Sequence, residues 1–181
     1  EEVQHSRRTA DHLLQKAQPL MEIYKAPQAD LFRAFLKNDA STVGARHNIL
    51  SAPPLYTMPE DLLGRILKRS GMSAADAESI NATLKQQTEN IEQILIANTV
   101  IDELPYVSEE AFRASPLTLS LSNAFIENTV TYTYEEYTAH LKATRMFAER
   151  HPNYTVRFAE KPAFRNIQIQ IHENEWVMLS K

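Results

Sequence analysis

The residues that could do chemistry are concentrated in the last third of the chain, where aromatic rings lie close to cationic side chains. The cations are Arg145, Arg157, Arg165 and Lys181. The rings are those of Tyr132, Tyr134, Tyr137, Tyr154, Phe158, Phe164 and Trp176. An apolar pocket with a few placed cations would hold a small anionic ligand. The alternative, which applies to most of these rings, is that they form the core of a small sheet.

The residues that we would test first as ligand contacts are Arg165 and Asn166, because they directly precede a strand with one buried face. Together with neighbouring aromatic and cationic residues they make a candidate effector site. The candidate effector-binding residues are Arg165, Asn166, Tyr154, Trp176 and Arg145.

The motifs of common catalytic and cofactor sites are missing from the sequence. The chain has no cysteine, which excludes disulfides and thiolate metal sites. Its three glycines lie at 44, 64 and 71, too far apart for a phosphate-binding loop. No two of the six histidines have the i, i+4 spacing of a metal pair, and no nucleophile elbow is present. We therefore predict no catalytic, cofactor-binding or metal-ligating residues and a protein that is not an enzyme.

The charge distribution argues against direct nucleic-acid binding by these residues. Residues 1–58 have a net charge of +1 and residues 59–181 have −5, so neither part is electropositive. The segment 62–84 has the outline of a helix-turn-helix with Gly71 at its turn, but its second helix opens with Asp76 and Glu78. Those carboxylates would repel phosphate, so we predict a plain helical hairpin there. No apolar run is long enough for a membrane span.

Helices dominate the predicted positioning elements in the first two-thirds of the chain. Residues 6–24 and a short segment after Pro27 have helical apolar spacing, and 38–54 is predicted as loop and connector. Capping boxes at Thr57–Glu60 and at Thr133–Glu136 predict two helix starts, and Ser73 predicts a third.

The helix after Ser73 has six positions at alternating spacings of four and three, the pattern of a coiled-coil seam. Four of them are apolar, and the other two are the polar residues Gln87 and Asn98. Such a seam packs on another helix, either from the same chain or from a second copy. We predict a homodimer, and the candidate interface residues are Ile80, Leu84, Ile91 and Ile94.

Strands are predicted late in the chain, at 129–133, 154–159, 166–172 and 176–179. The last two are joined by a short turn, which predicts a β-hairpin. The order of elements predicts an α+β fold in which a helical N-terminal two-thirds precedes a small antiparallel sheet with one capping helix. We divide the chain into a helical segment with connector, 1–56, and a hairpin with an α/β region, 57–181. One continuous domain is the alternative.

Two groups of segments resemble the C-terminal regulatory region of phage-repressor-type helix-turn-helix transcriptional regulators from Gram-positive bacteria. The resemblance covers most of residues 46–181 and little before them. The first group is RHNIL at 46–50, PPLYTMPEDLL at 53–63 and ILKRSGMS at 66–73. The second is TYTYEEY at 131–137, HPNY at 151–154, AFRNIQIQI at 163–171 and WVMLSK at 176–181.

The resemblance implies a cytoplasmic, dimeric bacterial protein that reaches DNA only through a domain not included in these residues. It also implies a further strand after Lys181. The absence of an initiator Met leads us to expect an excised fragment. A small-molecule effector is a possible partner, and no cofactor or membrane contact is expected. Two alternatives stay open, a small-molecule enzyme of unrecognised type and a ligand-free protein–protein docking module.

Overall fold

The computed structural model describes residues 44–122, 127–159, 168–172 and 176–180. The helices are α1 (Glu60–Arg69), α2 (Ala74–Ala97), α3 (Glu109–Ala114) and α4 (Tyr134–Arg150), with a short 3-10 helix at Leu55–Thr57. The strands are β1 (Arg46–Ile49), β2 (Val100–Pro105), β3 (Thr118–Ser122), β4 (Glu127–Thr131), β5 (Tyr154–Ala159), β6 (Gln168–His172) and β7 (Trp176–Ser180). The helices predicted within residues 1–43 lie outside this part of the chain.

Five strands form one mixed sheet in the order β5-β2-β1-β6-β7. Strands β1, β2 and β5 run parallel, whereas β6 is antiparallel to β1 and β7 is antiparallel to β6. Strands β3 and β4 pair separately as an antiparallel hairpin. The four-residue strand β1 is therefore the centre of the main sheet.

The predicted arrangement of helices first and a small antiparallel sheet last is wrong. Strands β1 and β2 come before the other three strands of the sheet in the sequence, yet they lie at or next to its centre. The two strands pair in parallel. Residues 46–49 were predicted as loop and connector. The helix and strand content is that of an α+β protein, but its strands are distributed along the described chain. The division at residue 56 stays a prediction, because most of its first part lies outside the described residues.

Buried polar residues explain why the hydrophobic pattern of the sequence does not predict strands β1 and β2. In β1 the inward positions are Arg46 and Asn48, so the alternation of apolar and polar residues that marks a strand is absent. In β2 the inward residue between Val100 and Leu104 is Asp102. Strand pairing here depends on a buried hydrogen-bond network that periodicity of hydrophobic residues does not detect.

Helices α2 and α4 pack on the face of the sheet that carries these inward residues. Ile91 and Leu95 of α2 and Phe147 of α4 form one apolar cluster with Val100 and Tyr154. A second cluster joins α1, the first half of α2, the β3–β4 hairpin and the start of α4. Within the described ranges, no helix is both long and apolar enough to cross a membrane.

Helix ends agree with the sequence in three of four predicted places. Ser73 caps α2, Gly71 follows α1 with a φ of 71°, and Thr133 forms a complete capping box with Glu136 at the start of α4. The predicted capping box at Thr57 is wrong, because Pro59 occupies the cap position of α1 without a side-chain hydrogen bond. The Thr57 hydroxyl is used elsewhere, in contacts to α4.

Candidate functional site

A groove of about 460 Å³ lies between helix α4 and strand β5, at one margin of the sheet. Its lining residues come from one face of the helix and from the strand beside it. They are Thr138, Leu141, Lys142, Thr144, Arg145, Ala148, Val156 and Phe158. A volume of this size is within the range of small-ligand sites.

The groove combines apolar walls with cationic side chains. Phe158 is 56% exposed, so its ring offers apolar surface to a molecule in the groove. Arg145 pairs with Glu149 at 2.8 Å, and both side chains are largely exposed. Lys142 is exposed and makes no ion pair with any of the described residues. The site could bind a molecule with an apolar part and a negative charge.

Helix α4 is held in place at its N-terminus by a cap and by an arginine fork. Thr133 Oγ1 accepts from the Glu136 N–H, and the Glu136 carboxylate accepts from the Thr133 N–H. The same carboxylate accepts two hydrogen bonds from Arg69 of α1, at 2.9 and 2.7 Å. Burial alone would raise the pKa of Glu136, but its hydrogen bonds from Arg69 and Thr133 lower it below its ordinary value.

A buried histidine joins the middle of α4 to the 3-10 helix. His140 is fully buried, with Nδ1 at 2.7 Å from the Tyr132 hydroxyl and Nε2 at 3.1 Å from the Pro54 carbonyl. A carbonyl only accepts, so Nε2 carries the proton and Nδ1 accepts from Tyr132. Burial lowers the pKa of His140 to about 4, so the ring is neutral at physiological pH. Thr57 and Thr144, 2.7 Å apart, complete this contact.

The start of β5 is fixed by a second buried network, which is centred on Asp102. Its carboxylate is 0% exposed and accepts from the Asn48 amide at 2.6 Å and from the Tyr154 hydroxyl at 2.5 Å. It also accepts from the Tyr56 hydroxyl. These donors come from β1, β5 and the 3-10 helix, so one carboxylate ties three elements to the centre of β2.

Burial controls the protonation of this network. It raises the pKa of Asp102, against the opposing effect of hydrogen bonds from Tyr154, Tyr56 and Asn48 and the nearby charge of Arg46. Burial and the Asp102 charge together raise the pKa of Tyr56 and of Tyr154. A shifted carboxyl beside hydroxyl groups is a feature of some active sites. This carboxylate is sealed from solvent, so it acts as a structural anchor for β5, one wall of the groove.

The structure describes the side chains of two of the predicted effector-binding residues, Arg145 and Tyr154. Arg145 lies on the groove, whereas Tyr154 is buried and points its hydroxyl at Asp102. Trp176 begins β7, where its backbone is paired opposite His172. Arg165 and Asn166 lie outside the described residues, so their role stays a prediction.

The four residues predicted for a dimer interface are buried within the single chain. Ile80, Leu84, Ile91 and Ile94 are 3%, 8%, 1% and 7% exposed. Ile80 and Leu84 belong to the cluster around α1, and Ile91 and Ile94 belong to the cluster over the sheet. The seam therefore packs inside this chain, and whether the protein dimerises through other residues stays a prediction.

Sequence reasoning missed Asp102, Asn48 and Tyr56. A signal was present in Val100-Ile101-Asp102-Glu103-Leu104, where an acid occupies the middle of three alternate positions whose other members are aliphatic. An acid at such a position needs buried donors, which a sequence search could then seek among asparagine, tyrosine and arginine.

Among the residues that the structure describes, no three His, Asp or Glu side chains are grouped to hold a metal ion. No known family model, curated protein or solved structure matches the chain. The resemblance to helix-turn-helix regulators therefore stays a prediction.

Proposed function

We propose that this chain is the regulatory region of a cytoplasmic bacterial transcriptional regulator, and that it binds an effector in the groove between α4 and β5. The observation that carries this proposal is the groove itself, with its apolar walls and the cations Lys142 and Arg145. The resemblance of residues 46–181 to helix-turn-helix regulators supplies the regulatory context. DNA contact would come from a domain outside these residues, placed by pairing of two copies.

The chemistry of the groove favours an effector with an anionic group next to an apolar body. The groove has an apolar surface made by Leu141, Ala148, Val156 and Phe158, and the two cations are on the same helix as Leu141 and Ala148. Because Arg145 already shares its charge with Glu149, Lys142 is the stronger attraction for an anion. An effector acts to the extent that it binds one arrangement of the regulator better than another.

The burial of the titratable groups favours ligand binding over catalysis. Asp102, the acid whose pKa is raised by burial, is fully buried and already accepts three hydrogen bonds. A catalytic acid needs to reach a substrate proton, either directly or through one water. The groove side chains supply charge and apolar contact, which are the requirements of recognition.

Titration with anilinonaphthalene sulfonate, a fluorescent aromatic anion, tests the site. We expect saturable fluorescence with the unaltered chain. Reversing both charges, in Lys142→Glu with Arg145→Glu, should weaken binding by about tenfold, because two attractions become repulsions near one anion.

The matched control is Arg65→Glu with Arg113→Glu. Both arginines are exposed and make the same kind of i, i+4 ion pair as Arg145, but they lie away from the groove. The control changes the net charge by the same amount, so it should leave the affinity unchanged. Equal weakening by both double variants would show a general charge effect and contradict the groove as the site.

A further inference from the structure

Strand β5 lies at the end of the strand order, and its outer edge has no neighbouring strand among the described residues. The Val100 N–H donates to the Asn153 carbonyl and the Tyr106 N–H donates to the Ala159 carbonyl. These two bonds fix the hydrogen-bond pattern of the parallel β2–β5 ladder. In that pattern the odd-numbered residues of β5 bond to β2. The N–H and C=O groups of Val156 and Phe158 therefore point away from the sheet.

The outer edge of β5 and the groove form one continuous feature. Val156 and Phe158 line the groove with their side chains, and the same two residues present their backbone groups along the edge. A strand added beside β5 would continue the sheet, and every second side chain of that strand would point toward α4. An extended peptide could thus form hydrogen bonds with the outward backbone groups of β5 and place side chains in the groove at the same time.

The charges around the edge favour an acidic peptide over a second copy of this chain. Lys142 and Arg145 border the groove on one side of the added strand, and Arg157 of β5 is exposed on the opposite face of the sheet. Glu149 offsets part of this positive charge, because it forms an ion pair with Arg145. Antiparallel pairing of two β5 edges would bring the cations of both copies together, and facing like charges destabilise a sheet.

We propose that the groove ligand is an extended acidic peptide segment that adds to the edge of β5 as a further strand. The proposal rests on the groove being the ligand site, as proposed above, and specifies the class of ligand. The backbone of Val156 and Phe158 supplies the pairing, Leu141, Ala148 and Phe158 receive apolar side chains, and Lys142 attracts the acids.

The probe is a fluorescein-labelled peptide that alternates glutamate and valine, with its polarisation measured on titration of the protein. Its first control is the same peptide N-methylated at alternate residues, which keeps charge and side chains but removes edge-pairing donors. We expect the N-methylated peptide to bind about tenfold more weakly, since each lost hydrogen bond costs a factor of several.

Two substitutions at one position isolate the backbone contribution on the protein side. Val156→Pro removes the outward N–H and leaves the β2 ladder intact, because proline is tolerated on the open side of an edge strand. Val156→Ala removes most of the same side chain and keeps the N–H. We expect the proline variant to bind about tenfold more weakly than the alanine variant. If Val156→Pro unfolds, Phe158→Pro compared with Phe158→Ala tests the second outward N–H, because both variants lack the ring and only the proline variant lacks the N–H.

Amide hydrogen exchange gives a readout that does not depend on affinity. Addition of the peptide should protect the amides of Val156 and Phe158 and leave that of Thr155, which already bonds to β2, unchanged.

Three outcomes would overturn the proposal. They are equal binding of the methylated peptide, equal affinity of the two Val156 variants, and a protein dimer that Val156→Pro dissociates, which would assign the edge to a second copy. If the sulfonate dye binds through Lys142 and Arg145 but the peptide does not bind, the ligand site stands and the peptide class is wrong. If neither binds, both proposals fail.

Discussion

Asp102, in the strand next to β5, and His140, in α4, have the same structural role. Each is a fully buried polar residue that links elements distant in sequence, Asp102 through β1, β2 and β5 and His140 through α4 and the 3-10 helix. Removing one partner of such a network leaves a buried group without its hydrogen bond, which costs about 1–3 kcal/mol. Both networks reach the 3-10 helix, through Tyr56 and Thr57, so they tie α4 and β5, the two walls of the groove, to one element.

The neutral state of His140 predicts a pH dependence of stability. Its pKa in the folded protein is about 4, below the ordinary value near 6.5 that applies in the unfolded chain. The stabilisation is therefore complete above pH 6.5 and is lost as pH falls from there toward 4. The loss amounts to roughly 3 kcal/mol at most. Urea unfolding between pH 7.5 and 4.5 measures it.

The variant His140→Gln separates this residue from the other buried titrating groups. His172, whose pKa burial and Arg46 lower to about 3, acts in the same direction, while Asp102 with its raised pKa acts in the opposite one. Both are present in the variant, so the difference between the two proteins reports His140 alone. We expect the variant to be less stable at pH 7.5 and to lose less on acidification. Parallel pH profiles would contradict a neutral His140.

At the scale of the element, helix α2 shows how one sequence pattern serves two apolar clusters. Its first turns pack on α1 and its last turns pack over the sheet, and both contacts use the same alternation of four and three. The spacing predicts only that one side of the helix packs against other residues. It does not report whether the cover belongs to the same chain.

A pair of alanine substitutions on α2 distinguishes the core from the surface. Ile91→Ala should cost about 2–5 kcal/mol, because Ile91 is 1% exposed and truncation leaves a cavity. Ile96→Ala, at a residue that is 73% exposed, should change the free energy of unfolding by less than about 0.5 kcal/mol. Urea denaturation at two protein concentrations measures both. An Ile91→Ala cost that grows with concentration would instead indicate an intermolecular seam.

The elements that the sequence predicted well are those in which local signals agree. Helix α4 has its capping box, β5 has its six-residue run, and β6 and β7 have the alternation and the turn of a hairpin. Strand β1 has none of these, since its inward residues are Arg46 and Asn48 and its partners lie far away in sequence. Neither is the groove visible in the sequence, because Arg145 and Phe158 meet only once α4 lies along β5.

At the scale of the whole molecule, the regulator proposal requires two copies to associate, because a palindromic site is read by a symmetric pair. Light scattering at several concentrations should give a mass near twice 20.7 kDa. Because the seam residues of α2 are buried within the chain, a dimer interface would use exposed apolar side chains such as Ile96, Tyr106 and Met146. Aspartate at each of these positions in turn would locate it. A mass that stays at one chain at all concentrations would contradict the dimer.

The parallel centre of the sheet sets the order in which a chain leaving the ribosome can fold. Asn48 and Asp102 are 54 residues apart and Asp102 and Tyr154 are 52 apart, so no hairpin can start the β1–β2–β5 ladder. Until β2 has emerged, β1 lacks both of its neighbours, β2 and β6. The carboxylate of Asp102 likewise lacks the Tyr154 hydroxyl until about 50 further residues are synthesised. The nascent chain thus carries unpaired strands while the residues between β1 and β6 are synthesised, a period in which chaperones that cover exposed strand edges would have their greatest effect.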